Sequence, residues 1–119
     1  MRIRRLFVYG TLRDPELRAR LLGKNAARLR VTPAELPGMR LLRSPRGDWP
    51  VLGRKRFGRV EGLLLERFSA QDLRRLGRYE ENEYRLYRLR VITQRERRVW
   101  AFAYLPRRRP RAGSSWNFE

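Results

Sequence analysis

Six of the twelve acidic residues lie between Glu61 and Glu83, and three of them crowd into "RYEENEY": Glu80, Glu81 and Glu83. They follow a helix signal, and the C-terminal end of a helix carries the negative end of its dipole. Like charges packed together also raise one another's proton affinity. Both effects favour a carboxylate that accepts and returns a proton near neutral pH. The chain contains no histidine and no cysteine. Serine–histidine triads, HExxH zinc sites, imidazole bases, disulfides and thiolate nucleophiles are therefore excluded. Acid–base chemistry has to come from Glu, Asp, Tyr, Lys or a bound species. The plainer reading is that these glutamates pair with the surrounding arginines, and the residues by themselves leave both readings open.

A second constellation is "FVYGTLRD", residues 7–14, where an apolar strand end meets Tyr9-Gly10-Thr11-Leu12 and a helix-start signal follows at once. Gly10 could serve only to let the chain turn with a positive φ. Alternatively, it lets a ligand approach backbone N–H groups beside a helix N-terminus, a place that attracts anions. The pattern alone is compatible with either. Tyr84 and Tyr104 stand on strands as core aromatics or cavity-lining groups.

The formal charge of +18 attracts polyanions whatever its origin. Of the 30 basic residues only Lys24 and Lys55 are lysine, which points more to compositional bias than to a dedicated phosphate-binding surface. Non-specific association with nucleic acid is the expectation that follows. "PRRRPR" (106–111) reads as a solvated tail, without a sequence-reading signature. No stretch approaches the roughly 20 apolar residues of a membrane span, and "LFVYG" is too short for a signal-peptide core. A cytoplasmic protein without membrane partners is expected.

These residues need a frame, and 119 residues are most simply one domain. Ile3–Tyr9 reads as a strand. "RDPELRARLLGK" reads as a helix with Asp14 as N-cap, Pro15 in the first helical position, Leu17, Leu21 and Leu22 on one face, and Gly23 as the stop. Ala27–Val31 suggests a strand. Residues 32–58, rich in Pro and Gly, read as turns, short strands and loops. Gly58–Glu66 reads as a strand. "SAQDLRRLG" (69–77) is a helix capped by Ser69 and Asp72, with Leu73 and Leu76 inward and Gly77 as its stop. Tyr84–Thr93 and Arg97–Leu105 are strands joined by a turn at "RERR", and residues 106–119 form a tail. The order predicts an α+β fold whose sheet dominates and is closed or strongly curled.

Several segments resemble the gamma-glutamylcyclotransferase-like, or AIG2-like, superfamily. "FVYGTL" resembles its opening signature. "DWPVLG" (48–53) resembles its Tyr-Pro loop, with Trp49 where tyrosine is usual. "GRVEGLLLE" (58–66) resembles its Val-x-Gly-Glu-Leu-Tyr strand. "LRRLGRYEENEYR" (73–85) resembles its Leu-Asp-x-Tyr-Glu-Gly-x-x-Tyr-x-Arg segment, with Gly77 replacing Asp and Glu81 replacing Gly. "WAFAYL" (100–105) and "GSSW" (113–116) resemble its late aromatic strand and terminal segment. The resemblance implies a small mixed barrel with a cavity and a cofactor-independent enzyme, with no metal, that releases 5-oxoproline from a small γ-glutamyl substrate. It implies Glu80 as the general acid/base, with Glu81 nominated by a one-residue shift. Substrate contacts are then expected at Tyr9, Gly10, Thr11 and Leu12, with Trp49, Pro50, Tyr84 and Tyr104 around the cavity.

Overall fold

In the computed structural model, which describes residues 3–43, 50–80 and 84–106, the first apolar run forms a short strand, β1 (Arg5–Val8). Its side chains divide between two apolar layers, Phe7 in one and Leu6 and Val8 in the other, as the two-residue period of a strand requires. A 3-10 turn (Thr11–Arg13) then leads into α1 (Pro15–Leu22). Asp14 caps α1 by accepting the Glu16 N–H at 2.9 Å, with Pro15 in the first turn. Gly23 ends it with φ 59°, and a 3-10 segment (Gly23–Arg28) follows. The strand expected over Ala27–Val31 thus begins only at Arg30, because Ala27 and Arg28 belong to that 3-10 segment.

Residues 32–58 differ most from expectation. Apart from 44–49, which lie outside the described residues, they belong to two long paired strands, β2 (Arg30–Arg43) and β3 (Pro50–Glu66). The Pro-Gly content is absorbed by an irregularity: the register shifts between Pro37 and Met39. Proline is tolerated there because β4 reaches the other side of β2 only at Ala34 and Glu35.

α2 (Ala70–Glu80) starts with the expected reciprocal cap. The Asp72 N–H donates to Ser69 Oγ at 3.0 Å, and the Ser69 N–H donates to Asp72 Oδ2 at 2.9 Å. The Asn25 amide adds a third bond at 3.1 Å. Burial alone would raise the Asp72 carboxyl, but these donors and the Arg75 charge hold it below its ordinary value. Gly77 does not stop the helix, which runs on to Glu80. A Cβ at Gly77 would stand 2.9 Å from Tyr104 Oη, so this glycine makes room for a packed tyrosine. β4 (Tyr84–Thr93) and β5 (Arg98–Pro106) close the chain's sheet. In their turn the Glu96 N–H donates to the Thr93 carbonyl at 2.9 Å, and Glu96 takes the left-handed position (φ 57°) that glycine usually holds.

The strands close into a barrel in the order β1-β3-β2-β4-β5. β1 and β5 are parallel (Leu6 opposite Phe102), and the other pairs are antiparallel. This is the expected α+β architecture with a small mixed barrel and short helices. Phe7, Ala34, Leu36, Leu64, Val91 and Ala103, drawn from all five strands, fill the interior with their neighbours. A second layer, including Leu12, Leu22, Leu76 and Tyr104, seats the helices on the wall. Gly62 permits the closest approach. A Cβ there would meet the Val8 carbonyl oxygen and come within 2.7 Å of the Phe7 ring. No helix among the described residues is long and apolar enough to cross a membrane.

Candidate functional site

The turn after β1 and the end of α2 are brought together by a direct contact. Thr11 Oγ1 and Tyr79 Oη lie 2.7 Å apart in a hydrogen bond. Glu80, the next residue, ends α2, and its charge is felt at both the Tyr9 and Tyr104 hydroxyls. The turn and the end of α2 that carries the glutamate, separated by more than sixty residues in sequence, are therefore adjacent in space.

Glu80 is distinguished by what it lacks. Glu35 pairs with Arg59 at 3.2 Å and Glu66 with Arg5 at 3.3 Å. Glu80, half-buried, has no ion pair or hydrogen bond among the described residues. Arginine pairing would hold a carboxyl low, whereas burial without a partner pushes Glu80 up to about 7. Its position at the C-terminal end of α2 acts in the same direction. A carboxyl titrating near neutrality can take a proton and give it back.

The turn offers backbone donors. The Arg13 N–H donates to the Gly10 carbonyl at 3.1 Å and the Asp14 N–H to the Thr11 carbonyl at 3.0 Å. This leaves the first two amides, Thr11 and Leu12, without a partner among the described residues. Gly10 has φ −115°, so it is not in the left-handed conformation considered for it, and its role is not that of a positive-φ turn residue. The Leu12 side chain is buried against α1 in the second layer, so only its backbone can face a ligand.

Tyr9 and Tyr104 lie close enough to the glutamate to feel its charge, and Tyr84 lies close to Tyr9. Tyr9 is buried and its hydroxyl donates to the Tyr104 carbonyl at 2.6 Å. Burial, then the charges of Glu80 and Tyr84, push its pKa well above the ordinary value. Tyr104, on β5, packs its hydroxyl against Gly77 of α2, and burial followed by the Glu80 charge pushes that hydroxyl up to about 12. Both stay protonated donors at neutral pH. Tyr84 packs, half-buried, against the second layer. Pro50 opens β3 at the end opposite the residues that pair with β1. Trp49, Glu81 and Glu83 lie outside the described residues.

Sequence reasoning missed Arg18. It is buried, and its Nη1 donates to the Leu12 carbonyl at 2.9 Å. Burial lowers its pKa against the pull of Asp14. The clue was its spacing four residues before the buried Leu22, which places both on one face of α1. Among so many arginines that clue is hard to see. Tyr79, the partner of Thr11, was also missed as a contact. An open groove of about 840 Å³ crosses β2, β3 and the β4–β5 turn, with Arg13, Glu35, Arg59, Glu61, Glu96 and Arg98 in its lining. Neither Glu80 nor Tyr9 lines it, and acid and base are balanced there.

A family model described as gamma-glutamyl cyclotransferase, AIG2-like, matches residues 6–118. No curated protein matches this chain. Among solved structures, an Arabidopsis thaliana protein determined in solution is 23% identical with a TM-score of 0.81, over 99% of this chain and 79% of that one. An AIG2-like protein from Mus musculus is 21% identical with a TM-score of 0.67, over 90% and 79% of the two chains. A gamma-glutamyl cyclotransferase is 16% identical with a TM-score of 0.72, over 86% and 65%. At these identities the likeness is one of fold.

Proposed function

Because the chain belongs to the gamma-glutamyl cyclotransferase, AIG2-like family, we propose that it releases 5-oxoproline from a small γ-glutamyl amine or related compound, with Glu80 as the general acid/base. The observation that carries this reading is the half-buried Glu80, which has no ion pair or hydrogen bond among the described residues and is pushed to about 7 in a chain of +18. An α-ammonium group is not a nucleophile. Glu80 takes one of its protons, and the freed amine attacks the substrate's own γ-carbonyl carbon. A C–N bond forms and closes a five-membered lactam. Collapse of the tetrahedral intermediate breaks the old amide bond, Glu80 returns its proton to the leaving amine, and the second proton that the attacking nitrogen loses in becoming the lactam N–H is taken up by that basic amine product. Because the attack is intramolecular, holding the substrate folded supplies much of the rate. The Thr11 and Leu12 amides either hold the substrate carboxylate or polarise the γ-carbonyl. Tyr9 and Tyr104, which feel the Glu80 charge, keep the glutamate in a half-buried setting.

The test is Glu80→Gln, which keeps the shape and removes the base. The variant should fold and still be stabilised by γ-glutamyl compounds in thermal-shift measurements while releasing no 5-oxoproline. Unchanged turnover in this variant would sink the assignment. Stabilisation of the unaltered protein without any product would favour a binding protein of the same fold, a reading that the departures from the family pattern at Gly77 and Glu81 keep in play.

A further inference from the structure

The outer wall of β4 and β5 changes character along its length. Alternate residues Leu89 and Val91 on β4, and Val99 and Ala101 on β5, face the barrel core. Their neighbours face outward. At one end these are Leu86, Phe102 and Tyr104, packed in the layer that contains Leu73 and Leu76 of α2. At the other end the outward positions become Arg88, Arg90, Arg98 and Trp100, and all four are exposed. Trp100 is 45% exposed, a large value for tryptophan on a strand. Arg90 is its direct cross-strand partner and Arg88 its diagonal neighbour.

Both guanidiniums lie over the same indole, 4.3 Å (Arg88) and 4.9 Å (Arg90) from its centroid. A cation–π contact uses the face of the guanidinium and leaves its N–H fork free. Neither arginine has a carboxylate partner among the described residues. Between Tyr84 and Pro106 there are six arginines and one acid, Glu96, which sits in the turn. Two like charges gathered over one ring repel each other, and an anion between them would turn that repulsion into attraction.

We propose that this Arg88–Trp100–Arg90 face is a binding site for single-stranded nucleic acid, in which the guanidinium forks take backbone phosphates and a base packs against the part of the indole left exposed. The observations favour this partner over an acidic protein or a membrane surface. The cations are arginines, whose planar forks suit phosphate and whose faces stack. The aromatic lies exposed on a sheet surface between arginines, as in stacking platforms for single strands. It does not project from an apolar tip, as a membrane anchor would. The site is on the barrel wall and does not depend on the Glu80 chemistry.

The experiment is fluorescence anisotropy of the full chain with a short fluorescein-labelled oligothymidylate, across a range of salt concentrations. Arg88→Gln/Arg90→Gln should lower the slope of log affinity against log salt by about 1.4, the value for two lost phosphate contacts on a single strand. Trp100→Ala should weaken binding about ten-fold, and Trp100→Phe should restore most of it. A control with the same charge change, Arg20→Gln/Arg28→Gln, removes two exposed arginines elsewhere and should leave binding nearly unchanged. Equal losses in the two double variants would overturn the proposal, because binding would then be a diffuse effect of net charge. Equal or tighter binding to a duplex, to polyglutamate or to phosphatidylserine vesicles would overturn it as well. The substituted side chains are solvent-facing, and melting temperatures close to that of the unaltered protein show that any loss is not unfolding.

Discussion

The same burial that prepares Glu80 for chemistry should make it a liability for folding, and the size of that liability can be worked out. In the unfolded chain its carboxyl titrates at the ordinary 4.5, and in the folded chain at about 7. Below 4.5 both states are protonated and Glu80 makes no difference. As pH rises from 4.5 to about 7 the unfolded state releases its proton while the folded state keeps it, so stability falls. Above about 7 the loss is complete and constant. At 1.36 kcal/mol per pH unit the loss reaches about 3 kcal/mol, an upper value because Glu80 keeps some contact with water. Glutamine cannot ionise, so Glu80→Gln escapes the loss. The variant should match the unaltered protein at pH 4. At pH 8.5 it should be more stable by up to about 3 kcal/mol, or roughly 10 °C in melting temperature for a chain of this size. Paired urea and thermal melts of both proteins at the two pH values measure the difference, and the other titrating groups cancel. A Glu80→Gln variant that is less stable at pH 8.5 would refute the reasoning, because it would mean that an arginine holds this carboxylate after all.

Other consequences follow from single contacts. Arg18→Met keeps the apolar stem but removes the donor to the Leu12 carbonyl. It should cost about 1–3 kcal/mol in urea melts and lower kcat/KM beyond what the melt explains, with partial rescue by Arg18→Lys. Gly62→Ala drives a methyl into the Val8 carbonyl and the Phe7 ring. It should destabilise by about 3 kcal/mol or prevent folding, as read by expression and circular dichroism. Thr11→Val or Tyr79→Phe breaks an exposed hydrogen bond. Stability should change by less than about 1 kcal/mol, while KM rises several-fold because the turn is no longer tied to the end of α2.

The parts of the fold legible in the sequence were those with local causes. Asp14-Pro15 and Ser69–Asp72 announce helix starts, because a cap is satisfied within a few residues. β4 is rich in β-branched and aromatic residues and alternates between Arg88 and Val91, and it was readable for that reason. The β2–β3 hairpin was not readable, because proline and glycine signal a break while the register shift that absorbs them depends on the partner strand. Gly77 misled in the same way. Its role is set by Tyr104, which comes from a strand 27 positions later. In the candidate site, the residue types of Glu80 and the Tyr9–Leu12 turn could be singled out, but the choice between proton carrier and arginine partner could not. That choice depends on which of the many arginines reach Glu80, and none among the described residues does. Arg18 was hidden because its burial is a tertiary fact.

The most direct measurement of the central claim is the pH dependence of kcat/KM for 5-oxoproline release from a γ-glutamyl amine, for the unaltered protein and Glu80→Gln. The rate should rise with pH through about 7 as Glu80 gives up its proton and becomes a base, and that limb should vanish with the activity in Glu80→Gln. A rate that is flat through this range, or a limb that survives in Glu80→Gln, would contradict the account.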